Sequence, residues 1–186
     1  MLISAGIDYS LTCPAICTYD PKAGDFCFEN VKLYFRSNLT RFKTFKEGNL
    51  SGCNHGPWKN EISRYDDISN WAMDVLVGDF VDEVFLEGYA FGATGRVFNI
   101  AENTAILKYN IWDEHIECDV IAPKQIKKYA TGSGNASKED MYEAFCKEAP
   151  GVVDLRSILT PRSSGVISPL SDVVDSYFIL KYGIYN

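Results

Sequence analysis

Two short apolar runs, each closed by an acid, set the strongest limit on how this chain can fold. Leu2-Ile3-Ser4-Ala5-Gly6-Ile7 ends at Asp8, and Val84-Phe85-Leu86 ends at Glu87. Apolar runs this short read as buried strands. Between them Tyr65, Ile68, Trp71, Ala72, Val75, Leu76 and Phe80 recur at helical spacing from Ile62 to Phe80. That segment leads directly into the second strand, so it supplies a helical crossover and makes the two strands parallel. Each acid then sits at the tip of its strand.

A second pair of acids, Asp172 and Asp175, lies three residues apart in a helical segment and shares a face. Val173, Val174, Tyr177, Phe178, Ile179 and Leu180 make that helix apolar nearly all round, which implies burial. Buried acids need partners. Clustered carboxylates repel unless protons or a cation neutralise them, and hard oxygen ligands suit Mg²⁺ or Mn²⁺. Asp8, Glu87, Asp172 and Asp175 are therefore the candidate catalytic residues and metal ligands of a metal-dependent nuclease.

The rest of the chain reads as one domain, 1–186. After the strand at 2–8, Ala15 to Tyr19 and Phe26 to Phe35 form an antiparallel meander around Pro21, Gly24 and Asp25. The stretch 36–60, rich in Asn, Ser and Gly, reads as a loop. Val97, Ile100, Ala101, Thr104, Leu107 and Ile111 mark a helix at 96–113, before a strand at 117–121. Pro123 opens a short helix that Thr131-Gly-Ser-Gly-Asn-Ala136 breaks, and Ser137-Lys-Glu-Asp140 has the form of a capping box. Ser168 and Pro169 read as N-cap and first helical residue of the last helix, with Gly183 as its stop.

A net charge of −7 argues against indiscriminate nucleic-acid binding, because Lys and Arg supply most non-specific affinity. The positive charge is nevertheless concentrated: Lys32, Arg36, Arg41, Lys43 and Lys46 form one strip, and Lys124, Lys127, Lys128 and Lys138 another. Cys13, Cys17, Cys27, Cys53, Cys118 and Cys146 are scattered through a chain whose start lacks a basic, apolar leader, so a reduced cytoplasmic setting is expected. No apolar run reaches bilayer length, and no membrane partner is expected.

Gly6-Ile7-Asp8, Leu86-Glu87, the block Ala122-Pro-Lys-Gln-Ile-Lys-Lys-Tyr-Ala-Thr-Gly-Ser-Gly-Asn-Ala-Ser-Lys138 and Asp172-x-x-Asp175 together resemble the RuvC family of Holliday junction resolvases, in order and in context. The resemblance implies an α/β, RNase H-like fold with a mixed five-stranded sheet flanked by helices. It implies a homodimer that cuts four-way DNA junctions with Mg²⁺ or Mn²⁺, two ions per site, leaving 5′-phosphate and 3′-hydroxyl ends. Asp8, Glu87, Asp172 and Asp175 match the family's metal ligands, and Lys127 and Lys138 its junction-contacting lysines. Lys124 and Lys128 join them as candidate DNA contacts.

The departures from the family are specific. Asp8 is followed by Tyr9-Ser10 in place of Pro-Gly, and Glu87 by Gly88 in place of Gln. The Phe that wedges the junction open has no counterpart in register, which leaves Tyr89 or Phe91 for that role. With the insertion at 36–60, these differences resemble divergent phage-encoded members, weigh against cooperation with a bacterial branch-migration motor, and extend the expected substrates to other branched DNA. The alternative of another class is a catalytically silent junction binder or scaffold with the same fold. Zinc is disfavoured, because Cys53-Asn-His55 with Cys13 and Cys17 lacks paired cysteine spacing.

Overall fold

A computed structural model describes residues 2–89, 97–149 and 154–186. Its sheet contains β1 (Ser4–Asp8), β2 (Ala15–Tyr19), β3 (Val31–Ser37), β4 (Phe45–Glu47), β5 (Leu50–Asn54), β6 (Glu83–Glu87) and β7 (Glu117–Ile121). The spatial order is β4-β5-β3-β2-β1-β6-β7. β1, β2 and β3 form the antiparallel meander, while β1, β6 and β7 are parallel. α1 (Glu61–Gly78) makes the crossover into β6, as its spacing predicts. The remaining helices are α2 (Val97–Asp113), α3 (Pro123–Thr131), α4 (Lys138–Glu148), α5 (Leu155–Leu159) and α6 (Leu170–Tyr185).

Strand parity decides which side chains meet. Successive residues of a strand point to opposite faces. Ala5 and Ile7 of β1, with Val84 and Leu86 of β6, pack into an apolar cluster with Ile68, Ala72, Leu76, Leu107 and Ile111 of α1 and α2. Phe85 faces the other way, into a cluster built around Val173, Val174, Tyr177, Phe178, Ile179 and Leu180 of α6. Asp8 and Glu87 share the parity of Gly6 and Phe85, so their side chains belong to the α6 face.

α6 lies directly on β1 because Gly6 has no side chain. A Cβ there would overlap the Leu180 backbone nitrogen, its Cβ and the Ser176 carbonyl. Gly183 repeats the device one turn later against the Phe85 ring. These contacts define one stripe of α6, running through Asp172, Asp175, Ser176, Leu180 and Gly183, that is laid along the strands. Gly183 is therefore a packing residue and does not stop the helix, which continues to Tyr185. Nor does the Ser168 side chain cap it; Pro169 occupies the cap position.

The expectation of a loop at 36–60 is corrected. This segment adds β5 parallel to β3 and β4 antiparallel to β5, so the sheet has seven strands where five were expected. Gly52 makes the addition possible by letting the Phe35 ring lie over it, with Phe42 edge-on and Phe45 tilted against that ring. β3 also starts later than its apolar run, at Val31; Phe26 and Phe28 turn inward onto Tyr19, Tyr177 and Phe145. The basic strip at 32–46 is partly structural. Lys32 pairs with Asp79 at 2.7 Å, and Arg36, buried, pairs with Asp67 at 2.9 Å. Asp79 also accepts from Thr18 and Tyr34, tying α1 to the meander.

Gly6→Ala should lower stability by about 3 kcal/mol or more, since its methyl group meets helix backbone that cannot move aside. Gly48→Ala, at φ +56 with open space around it, should cost only about 1 kcal/mol. Equal midpoints for the two variants in urea unfolding would contradict this account of how α6 is seated.

Candidate active site

The four acids converge from three elements. Asp8 ends β1, Glu87 ends β6, and Asp172 and Asp175 lie in the first two turns of α6. Because β1 and β6 are parallel with Ile7 paired to Leu86, their terminal acids emerge side by side. Asp8, Glu87 and Asp175 line a cavity of about 570 Å³ with Thr12, Tyr89 and Lys127. Asp172 lies behind them, only 7% exposed.

Burial raises all four acids above the usual carboxylate range, and repulsion from neighbouring acids adds to it for Asp8, Glu87 and Asp175. Asp8 is raised strongly, by burial first and then by Asp172, Glu87 and Asp175. Glu87 is pushed up to about 7 by burial and Asp175. Asp175 is pushed up to about 7 by burial and Asp172. Asp172 is raised by burial, against hydrogen bonding from Ser168 and Asp8 and the charge of Lys138. Such a set holds protons at neutral pH or takes a cation.

Two of the expected lysines stand close enough to act on these acids. Lys127 lowers Glu87 and Asp175, and its Nζ donates to the Ala136 carbonyl at 2.9 Å. Lys138 lowers Asp8, Asp172 and Asp175, and its Nζ bonds the Ser171 hydroxyl at 3.1 Å. Lys124 and Lys128 are exposed on α3 and do not act on the carboxylates. Tyr89 is 44% exposed at the cavity wall. Phe91 lies outside the described residues.

Sequence reading missed three supporting groups. Ser168 lies near Asp172 and lowers it, Ser171 holds Lys138, and the buried Cys13 lies beside Ser37 and Ser168. Burial pushes the Cys13 thiol up to about 11, so it is a neutral spacer between β3 and the start of α6. Ser168 had a signal, its place before Pro169, but that signal pointed to a helix cap.

The donor chemistry fits a hard divalent cation. Asp172 Oδ2 is buried without a hydrogen-bond partner, an oxygen that a positive charge would satisfy. Among the described residues, no three His, Cys, Asp or Glu side chains form a finished ligand cage.

The shifts give stability a definite pH dependence. Glu87 and Asp175 ionise near 7 in the folded chain, against ordinary values of 4.5 and 3.8. Between those limits the folded state binds more protons than the unfolded state, so stability falls as pH rises through about 7. In the absence of divalent cations the Tm should drop across that window. Asp8→Asn should shallow the drop by removing one repelling charge, and added Mg²⁺ should reverse it by binding the folded state. A Tm that rises over the same interval, in wild type and variant alike, would contradict the electrostatic picture.

No protein-family model and no curated protein matches the sequence. Among solved structures, Thermus thermophilus RuvC is similar at 16% identity, covering 98% of this chain and 95% of that one, with a TM-score of 0.60. T. thermophilus RuvC in complex with Holliday junction substrate is similar at 14% identity, with 99% and 95% coverage and a TM-score of 0.61. The yeast mitochondrial Holliday junction resolvase is similar at 15% identity, covering 96% of this chain and 76% of that one, with a TM-score of 0.53. The chain therefore has the mixed α/β, RNase H-like fold of RuvC, over nearly its whole length.

Proposed function

We propose that this protein is a RuvC-type endonuclease that resolves four-way DNA junctions, accepts other branched DNA, and requires Mg²⁺ or Mn²⁺. The observation that carries the reading is the convergence of the half-buried Asp8, Glu87 and Asp175 on a cavity that Lys127 also lines, with the buried Asp172 and Lys138 close enough to act on them. Similarity to a RuvC solved with Holliday junction substrate supports the choice of DNA.

Asp8, Glu87, Asp172 and Asp175 would hold the cations, two per site. When bound, the ions make water nucleophilic at neutral pH and offset charge on the leaving 3′ oxygen, which yields 5′-phosphate and 3′-hydroxyl ends. Ser168 lies beside Asp172 and favours its charged form, and Lys127 and Lys138 hold the phosphate and stabilise its developing charge. Tyr89 stands where an unpaired base could stack. Lys124 and Lys128 extend the positive surface along α3 toward flanking duplex.

The reading includes a homodimer, since one site cuts one strand and two nicks resolve a junction. Its support is an apolar stripe on α2 that is left exposed among the described residues. Phe98, Tyr109 and Trp112 are 78%, 61% and 68% exposed and recur with Ala105 at the spacing of a helix–helix seam. Trp112→Glu should sediment as a monomer and turn paired nicks into single ones on a cruciform plasmid. A Trp112→Glu protein that remains dimeric would remove α2 from the interface.

The deciding assay is a labelled immobile four-way junction beside a matched duplex, with and without Mg²⁺. Wild type should cut only the junction and only with metal. Asp8→Asn, Glu87→Gln and Asp175→Asn should each lose cleavage by about a hundredfold or more while binding the junction. Near wild-type cleavage by any of them would refute the carboxylate site. Junction binding by wild type without cleavage would favour the scaffold alternative.

A further inference from the structure

A second cavity, of about 510 Å³, adjoins the carboxylate site without sharing its acids. It lies between the segment that follows β3, which supplies Leu39 and Arg41, and the connection from α5 to α6, which supplies Leu159, Pro161, Arg162 and Ile167. Its size is within the roughly 300–1,000 Å³ typical of small-ligand sites. Ser168 lines it too, and Ser168 lies near enough to Asp172 to lower it, so the two sites meet at that residue.

The charge in this cavity is unbalanced. Among the described residues neither Arg41 nor Arg162 is within ion-pairing distance of a carboxylate. The two side chains nevertheless line the same cavity, and desolvation together with the charge of Arg162 holds Arg41 below its ordinary range. Arg41 is fixed in place, donating to the Ile158 carbonyl at 3.0 Å and to the Leu159 carbonyl, with its Cζ 4.1 Å from the centre of the Phe42 ring. Two like charges held together without an acid lack the counter-charge that a bound anion would supply. The facing walls are apolar, and Leu39 and Ile167 remain 43% and 51% exposed. A paired phosphate-binding group beside an apolar wall matches the two halves of a nucleotide.

Building on the junction-nuclease reading, we infer that this cavity is a nucleotide subsite. It holds one unpaired nucleotide of the strand being cut, with the phosphate on Arg41 and Arg162 and the base against Leu39 and Ile167. The strand then runs from Lys127, across the carboxylates, past Ser168 and into the cavity. The segment after β3 thereby acquires a task, to carry Arg41 to the site.

The test is equilibrium binding by fluorescence anisotropy in EDTA, comparing wild type, Arg162→Ala, Ile167→Ala and Lys127→Ala. Arg162 and Ile167 are exposed, and each variant's Tm is checked against wild type. The probes are an immobile four-way junction, the same junction with one abasic nucleotide stepped through positions flanking the crossover, and a single-stranded oligonucleotide. Arg162→Ala should weaken junction binding roughly fivefold and flatten its salt dependence by about 0.7 to 0.9 in log–log slope, the loss of one phosphate contact. Wild type should lose affinity at one abasic position, and Ile167→Ala should be indifferent to that same position.

Unchanged affinity and slope for Arg162→Ala, with Lys127→Ala impaired, would overturn the subsite and leave the junction reading intact. A flat abasic scan in wild type would remove the base from the cavity and overturn the proposal as stated. If wild type neither prefers nor cuts junctions, the junction reading fails. The single-stranded probe then decides the cavity: weaker binding by Arg162→Ala supports a nucleotide subsite, and equal binding rejects it.

Discussion

The seating of α6 on β1 is the contact on which the other features depend. Gly6 lets the helix backbone at Ser176 and Leu180 approach the strand to a distance that any side chain would forbid. That approach fixes the helix in both rotation and height, because Gly183 must also meet Phe85. Asp172 and Asp175 lie on the same stripe one and two turns earlier. They are delivered to Asp8 and Glu87 as a consequence of packing, without a loop to position them. A site built on a buried helix and two central strands has the rigidity that metal-assisted hydrolysis requires.

The same seating creates an electrostatic problem that the surroundings only partly solve. Four acids enter a space where desolvation penalises every one of them in its charged form. Lys127 and Lys138 offset part of that cost from α3 and the start of α4, each tethered by its own hydrogen bond. Asp172 Oδ2 still has no partner. Excess negative charge inside the site, positive charge around its edge and a cavity in front form the arrangement expected where a cation and a phosphodiester meet.

The acids at strand ends were legible because short apolar runs closed by an acid mark buried strands and a crossover helix leaves a period near 3.6, and β1, β6 and α1 carry these signals. The burial of α6 was legible from its apolar circumference. β4 and β5 were not, because three- and five-residue strands rich in Gly, Ser and Asn resemble loops until Phe35 is seen to need the bare backbone of Gly52. The functions of Lys32 and Arg36 were hidden for a related reason. Their partners, Asp79 at the C-terminal cap of α1 and Asp67 within it, are brought to β3 only by the fold. Gly183 illustrates the limit of local rules: near a helix end glycine usually means termination, yet here it marks a close approach to a ring a hundred residues away in sequence.

The central claim is that the convergence of Asp8, Glu87, Asp172 and Asp175 is a cation site, and counting bound Mn²⁺ by electron paramagnetic resonance at neutral pH tests it without DNA. The account predicts saturable Mn²⁺ binding, up to two ions per chain, by the wild-type protein and its loss in both Asp8→Asn and Asp175→Asn. Wild-type protein that retains no more Mn²⁺ than these variants would contradict it.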